Sequence, residues 1–130
     1  MQYLVLTHCH QDHWLNADLY PNATLIPAEP NVQLVKRARC EVFGGAIQHP
    51  DWKIIPTNGH TTPHLSIFVR GIWNGEEKNI VIAGDAFRED LWLSGYYGSA
   101  DAKPGERESA EWIMNNAEVL IPGHYAVIEK

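Results

Sequence analysis

Cysteine is scarce in this sequence: Cys9 and Cys40 are the only two in 130 residues. Two thiols cannot supply the dense framework of bridges that holds small secreted domains together, so stability must rest on a core. Long apolar runs are also missing. No stretch approaches the ~20 residues that span a bilayer, so neither a transmembrane helix nor a membrane partner is expected. The start of the chain has no basic region, and its apolar run at 3–6 is too short for a signal peptide. An intracellular, cytoplasmic setting is therefore expected. Positive charge is the third shortage: 10 Lys and Arg stand against 16 Asp and Glu, a formal net charge of −6. That balance argues against broad electrostatic attraction to nucleic acid. The only cationic cluster, Lys36, Arg37 and Arg39, reads as a solvated helix face or loop.

What is present fits one domain, residues 1–130, long enough for a real hydrophobic core. Its 45% hydrophobic and 20% charged content is ordinary for a soluble globular protein. Residues 2–6 are short, apolar and partly β-branched, and read as a buried strand. Residues 16–20 suggest a brief helix stopped before Pro21, and 23–26 another strand ended by Pro27. The stretch 30–40 is ambiguous between helix and extended chain. Strands are expected at 52–55, 65–69 and 79–83, the last two paired and joined through Gly71 and Asn74-Gly75. Ala110, Ile113, Met114 and Ala117 recur at helical spacing, which predicts an amphipathic helix over 106–116. A last apolar run at 119–121 ends at Pro122-Gly123-His124.

Three of these strands deliver a ligand-type residue just past their ends: 2–6 leads into His8, 79–83 into Asp85 and 119–121 into His124. The strand 52–55 does the same through a short turn into His60. Convergent strand ends of this kind build sites. The densest cluster is Thr7-His8-Cys9-His10-Gln11-Asp12-His13. His8 and His10, two apart on an extended segment, point to the same side. Asp12 and His13 follow on a turn that can face the same cavity. Cys9 then points away and reads as a small buried filler rather than a ligand. Neutral imidazole with carboxylate suits zinc, and also iron or manganese. One His-x-His is weak evidence, but His-x-His-x-Asp-His within six residues is a specific metal-binding pattern. A solvated polar loop fits poorly directly after a buried strand.

The sequence resembles the metallo-β-lactamase superfamily. The resemblance rests on Thr7-His8-Cys9-His10-Gln11-Asp12-His13, Gly59-His60-Thr61-Thr62-Pro63-His64, Ala83-Gly84-Asp85 and Pro122-Gly123-His124, in the superfamily's order and spanning nearly the whole chain. It implies an α/β fold of the αββα sandwich type with a dinuclear metal site. It implies that His8, His10 and His60 hold one metal, that Asp12, His13 and His124 hold the second, and that Asp85 bridges them. Two zinc ions are the implied cofactors, with iron or manganese as substitutes. The implied nucleophile is a hydroxide shared by the two metals, with Asp12 as the catalytic residue that orients it. His64 matches a recurrent histidine that is usually not a ligand, and a hydrogen-bonding role fixing the His60 loop is expected. His49, before Pro50, reads as a surface residue. Zinc β-lactamases of the antibiotic-resistance type usually carry cysteine where this chain has Asp85, so antibiotic hydrolysis is not the expected activity.

Within the superfamily, Ile82-Ala83-Gly84-Asp85-Ala86-Phe87-Arg88-Glu89-Asp90 with Trp92, and the passage 119–125, look most like the metallo-β-lactamase domain-containing protein 1 group. That group is linked to endonucleolytic RNA cleavage, which implies an endoribonuclease acting on phosphodiesters. A glyoxalase II-like hydrolase of small thioesters or lactones is the rival. Phe87, Trp92, Tyr96 and Tyr97 would line its pocket, although core packing is the expectation for any one of them. A third reading is a metal-binding but inactive fragment serving as an interaction module. Superfamily members usually have several strands ahead of the first histidine motif, whereas only 2–6 precedes it here. Much of the N-terminal half of the sandwich is therefore expected to be absent. An apolar sheet edge or face would then be uncovered, and self-association into a homo-oligomer is expected.

Overall fold

The computed structural model describes residues 3–26 and 50–130. The expectations for 30–40, Cys40, His49 and the Lys36, Arg37 and Arg39 cluster lie outside the described residues. Strand β1 (Tyr3–Val5) pairs in parallel with β2 (Thr24–Ile26), Leu4 opposite Leu25. Parallel neighbours need a crossover between them. Here it carries two short 3-10 turns, Gln11–His13 and Ala17–Leu19, the second standing where a brief helix is expected. The structure corrects one expectation about β1. Tyr3 is exposed and Leu4 and Val5 only half-buried, since among the described residues β1 has only β2 as a sheet partner; full burial begins at Leu6.

Among the described residues the larger sheet has five strands in the order β3-β4-β5-β6-β7, with β3 at Trp52–Pro56, β4 at Leu65–Trp73, β5 at Glu76–Gly84, β6 at Val119–Pro122 and β7 at Ile128–Glu129. β4 and β5 form a long antiparallel hairpin. Its turn is Asn74-Gly75 alone, with φ of 50° and 80°, the doubly left-handed turn whose twist matches the flanking strands. Gly71 lies inside β4 opposite Lys78 and is not part of the connection. β5 and β6 run parallel, so the chain between them crosses over through α1 (Glu89–Leu93), a 3-10 turn at Tyr96–Gly98 and α2 (Glu106–Asn116). Among the described residues no helix is long and apolar enough to cross a membrane.

Alternation along the strands decides what the crossover covers. Val81, Ala83 and Leu120 point to one face, where Ala110 and Ile113 of α2 pack on them with Phe87 and Tyr97. Each of these seven residues is at most 5% exposed, so this is the main core. The opposite face is equally apolar but less covered. Ile54 joins Ile26 and Leu65 in a small cluster, while Ile67, Val69, Ile82 and Ile121 are only half-buried. The two sheets meet where the Leu65 N–H donates to the Thr7 carbonyl at 2.7 Å. That bond brings the end of β1 and the start of β4 together beside the His8 run.

Candidate metal centre

Each strand end forms a loop whose local bonding fixes one part of the centre. After β1 the chain turns through the 3-10 segment Gln11–His13, closed by the His13 N–H donating to the His10 carbonyl at 3.0 Å. Trp14 Nε1 donates to the Cys9 carbonyl at 3.1 Å and holds the other side of that turn. At the end of β5 the pairing with β6 slips between Ile82 and Gly84. Such an irregularity re-aims the side chains that follow it. The Ala83 carbonyl at this slip accepts from Ser66 Oγ at 3.1 Å and from the Ala86 N–H at 3.2 Å. The chain is thereby turned so that Asp85 faces the His8 run. After β6, the Gly123 N–H donates to the Gly84 carbonyl at 2.7 Å and draws the His124 loop against the Asp85 loop.

The His60 loop is braced by the crossover. Ser109 Oγ donates to the Asn58 carbonyl at 2.7 Å, and Lys103 Nζ donates to the His60 carbonyl at 3.4 Å. Asn58 Oδ1 accepts from the His64 N–H at 3.0 Å, closing the loop on itself. Two glycines permit close approaches around Asp85. A Cβ on Gly123 would stand 2.4 Å from Asp85 Oδ1, and one on Gly84 would stand 2.8 Å from Thr7 Cβ. Gly84 also has φ of 54°, a conformation that disfavours any side chain.

The loops bring all seven predicted ligands together. His8, His10, His60 and Asp85 form one group whose ligand atoms lie within 4.8 Å of one another, and Asp12, His13 and His124 form a second. Asp85 sits between them. Its Oδ2 is 3.5 Å from His8 Nε2, 3.1 Å from His13 Nε2, 3.3 Å from His60 Nε2 and 3.4 Å from His124 Nε2. Asp12 Oδ2 lies 3.3 Å from His13 Nε2 and 3.4 Å from His124 Nε2. Cys9 joins neither group. The centre is closed below and open above. His8 and Asp85 are buried, His13 and His60 half-buried, and His10, Asp12 and His124 exposed.

The donor set fits cations. Buried polar atoms are almost always hydrogen-bonded, yet His8 Nε2, His13 Nε2 and Asp85 Oδ1 are buried without a hydrogen-bond partner. His8 Nε2 and His13 Nε2 point into the cluster of ligand atoms, as electron pairs waiting for a cation would. Electrostatics agree. Burial lowers the His13 and His60 pKa values despite Asp85 beside them, keeping these rings neutral. For Asp85, burial alone would raise the pKa, but the imidazoles of His8, His13 and His124 packed around it hold it well below the usual carboxylate range.

Beneath the ligands runs a chain of hydrogen bonds with only one consistent direction. Ser66 Oγ uses its proton on the Ala83 carbonyl, so at 2.6 Å it must accept from Thr57 Oγ1. Thr57, its proton spent, must accept from His64 Nδ1 at 3.0 Å. His64 Nε2 is left as an acceptor and takes the Asp85 backbone N–H at 3.3 Å. His64 is therefore neutral, and burial, with the neighbouring His8, lowers its pKa to about 3. Sequence reasoning expected His64 to fix the His60 loop. It does, and it also holds the backbone of Asp85. Thr7 Oγ1, 2.9 Å from His8 Nδ1, orients His8 in the same way and was legible only as the first residue of its motif.

The four aromatic residues after Asp85 do not line this centre. Phe87 and Tyr97 are buried in the main core, with Trp92 and Tyr96 packed half-buried against them. The expectation of core packing holds for them, and the alternative of a pocket beside the metals is corrected.

No family profile matches the chain. Curated relatives do. It is 29% identical over 136 residues to the mouse (Mus musculus) metallo-β-lactamase domain-containing protein 1, covering 95% of this chain and 48% of that protein. The human (Homo sapiens) protein of the same name is 27% identical over 133 residues, covering 93% of this chain and 46% of that protein. The chain spans about half the length of these relatives. Solved structures share its architecture. A metallo-β-lactamase-type protein of Thermotoga maritima superposes with a TM-score of 0.70 at 18% identity, over 100% of this chain and 70% of that one. A subclass B3 metallo-β-lactamase from a soil metagenome library superposes with a TM-score of 0.64 at 18% identity, over 95% and 58%. The chain has the metallo-β-lactamase fold.

Proposed function

We propose that the chain carries a two-metal hydrolytic site and cleaves phosphodiester bonds of RNA. The hydrolytic reading rests above all on Asp85, a carboxylate with one oxygen among the Nε2 atoms of His8, His13, His60 and His124 and the other buried without a partner. His8, His10 and His60 would hold one ion, Asp12, His13 and His124 the other, and Asp85 both. Zinc suits these ligands, as do iron and manganese. Bound there, the ions would supply Lewis acidity and a water acidified toward neutral pH.

The chain's own groups do the rest. Asp12 is exposed on the open side, where it can accept a hydrogen bond from an attacking water and orient it. His64 fixes the backbone that carries Asp85, so the bridging carboxylate is held before substrate arrives. The exposure of His10, Asp12 and His124 supports a substrate that lies across the centre as a chain, rather than one swallowed by a closed pocket. The choice of RNA follows from the resemblance over residues 82–92. The test is a labelled single-stranded RNA assayed beside a thioester and lactone panel on metal-loaded protein, with His8→Ala as control. RNA cleavage above the control is expected. No cleavage above it overturns the nuclease reading, and thioester turnover alone would establish the glyoxalase II-like rival.

The half-buried face of Ile67, Val69, Ile82 and Ile121 supports self-association as well. Light scattering is expected to give a dimer or larger; a monodisperse monomer overturns that.

A further inference from the structure

We propose that Glu106, at the start of α2, is a positioning residue for the ligand His60, acting through the Gly59 backbone that it supports. This deepens the two-metal reading and rests on it. Among the described residues the His60 ring bonds only to other ligands: its Nε2 is 3.1 Å from His10 Nδ1 and 3.3 Å from Asp85 Oδ2. His8 has Thr7 Oγ1 behind it. His60 has no such prop, so its place depends on the backbone that carries it. That backbone lies directly on the first turn of α2. A Cβ on Gly59 would stand 2.6 Å from Glu106 Cα and 2.8 Å from its Cγ, so the glutamate fills the space a side chain would need. A Cβ on Gly105 would likewise stand 3.0 Å from the Asn58 carbonyl oxygen.

An acidic residue in the first turn of a helix favours the helix end while staying in water, as the exposed Glu108 does. Glu106 differs, being only 6% exposed. A carboxylate buried to that degree must be satisfied by hydrogen bonds. The donors it meets are neutral. Its Oε1 accepts from the Tyr96 hydroxyl at 3.0 Å and from the Lys103 N–H at 2.8 Å. The Glu106 N–H in turn donates to the Lys103 carbonyl at 3.1 Å, so the turn 103–106 is tied at both ends. This same short stretch grips the His60 loop, through Lys103 Nζ on the His60 carbonyl and Ser109 Oγ on the Asn58 carbonyl. The buried carboxylate therefore fixes the surface on which residues 58–60 are seated. Tyr96 belongs to the crossover that follows Asp85, so the same knot ties that crossover to the His60 loop.

The test uses the full chain and zinc. Competition with a chromogenic chelator gives the zinc affinities, and proton–nitrogen correlation spectra of the histidine rings show which rings stay coordinated. Glu106→Ala is expected to lower one affinity about tenfold, releasing the His60 ring while His13 and His124 remain bound. Glu106→Gln, whose amide oxygen can accept the same two bonds, is expected to keep both affinities near wild type. Tyr96→Phe should give a smaller loss of the same kind, and it carries the test if Glu106→Ala does not fold. Glu108→Ala, on the exposed side of the same turn, should change nothing. Affinities unchanged in both Glu106→Ala and Tyr96→Phe overturn the positioning role. So does an equal fall in both affinities with a matching loss of Tm, which is general destabilisation. Amide hydrogen exchange of the metal-free protein separates this role from the two-metal reading. The Gly59 N–H, which donates to the Thr61 carbonyl at 3.0 Å, is expected to exchange faster in Glu106→Ala. A wild type that binds no zinc but shows that acceleration would overturn the two-metal reading and support Glu106 as the seat of the His60 loop.

Discussion

His64 Nε2 accepts a hydrogen bond from the backbone N–H of Asp85 at 3.3 Å, deep under the ligand cluster. The bond joins two loops that are 21 residues apart and makes the position of Asp85 depend on a residue outside both ligand groups. His64→Phe keeps the ring volume but leaves that N–H and the Thr57 hydroxyl without their partner. Metal affinity is expected to fall about 10–100-fold while far-UV circular dichroism is unchanged. Competition with a chromogenic chelator measures it.

Gly123→Ala tests the crowding around Asp85. The added methyl would stand 2.4 Å from Asp85 Oδ1 and 2.9 Å from His13 Cε1, so the carboxylate or the loop must move. A stability loss of about 1–3 kcal/mol is expected, typical of overpacking. Metal binding should fall with it, in contrast to a remote overpacked site. Thermal unfolding with and without added zinc separates the two effects.

Much of this was legible in the sequence, and the reason is physical. His8, His60, Asp85 and His124 each follow an apolar strand, and a strand that must be buried leaves its polar successor at a sheet end. The helix over 106–116 and the Asn74-Gly75 turn were legible because period and turn chemistry are local properties. What stayed hidden depends on partners distant in the chain. The half-exposure of β1 reflects its pairing with β2 alone among the described residues, which its own apolar residues do not reveal. α1 and β7 are too short, at 5 and 2 residues, for any period to register. The Thr57–Ser66 link exists only because β3 and β4 pair in a particular register. One signal was available and unused: glycine precedes His60, Asp85 and His124 alike, a mark of loops packed too tightly for a side chain.

Removing metal should destabilise the fold. Without cations, His8 Nε2, His13 Nε2 and Asp85 Oδ1 are buried donors and acceptors with no partner. Ligand linkage predicts about 2.7 kcal/mol of added stability at a metal concentration one hundred times Kd. The Tm should drop on treatment with a chelator and recover when zinc is restored.

The alkaline limb of stability should report Tyr97. Burial pushes its phenol up to about 12, while its hydroxyl accepts the Arg88 N–H at 2.9 Å. The unfolded phenol titrates near 10. Between these values the folded state binds more protons, so stability present below pH 10 is lost as pH rises toward 12. The slope from this group is at most about 1.4 kcal/mol per pH unit. Urea unfolding across that range should show it, and Tyr97→Phe should flatten it.

The central claim is a site for two metals, and metal stoichiometry on the purified protein tests it most directly. Elemental analysis after zinc loading and desalting should give two ions per chain, with His8→Ala and Asp85→Ala each lowering that number. One ion per chain would contradict the bridging role of Asp85, and none would contradict the account as a whole.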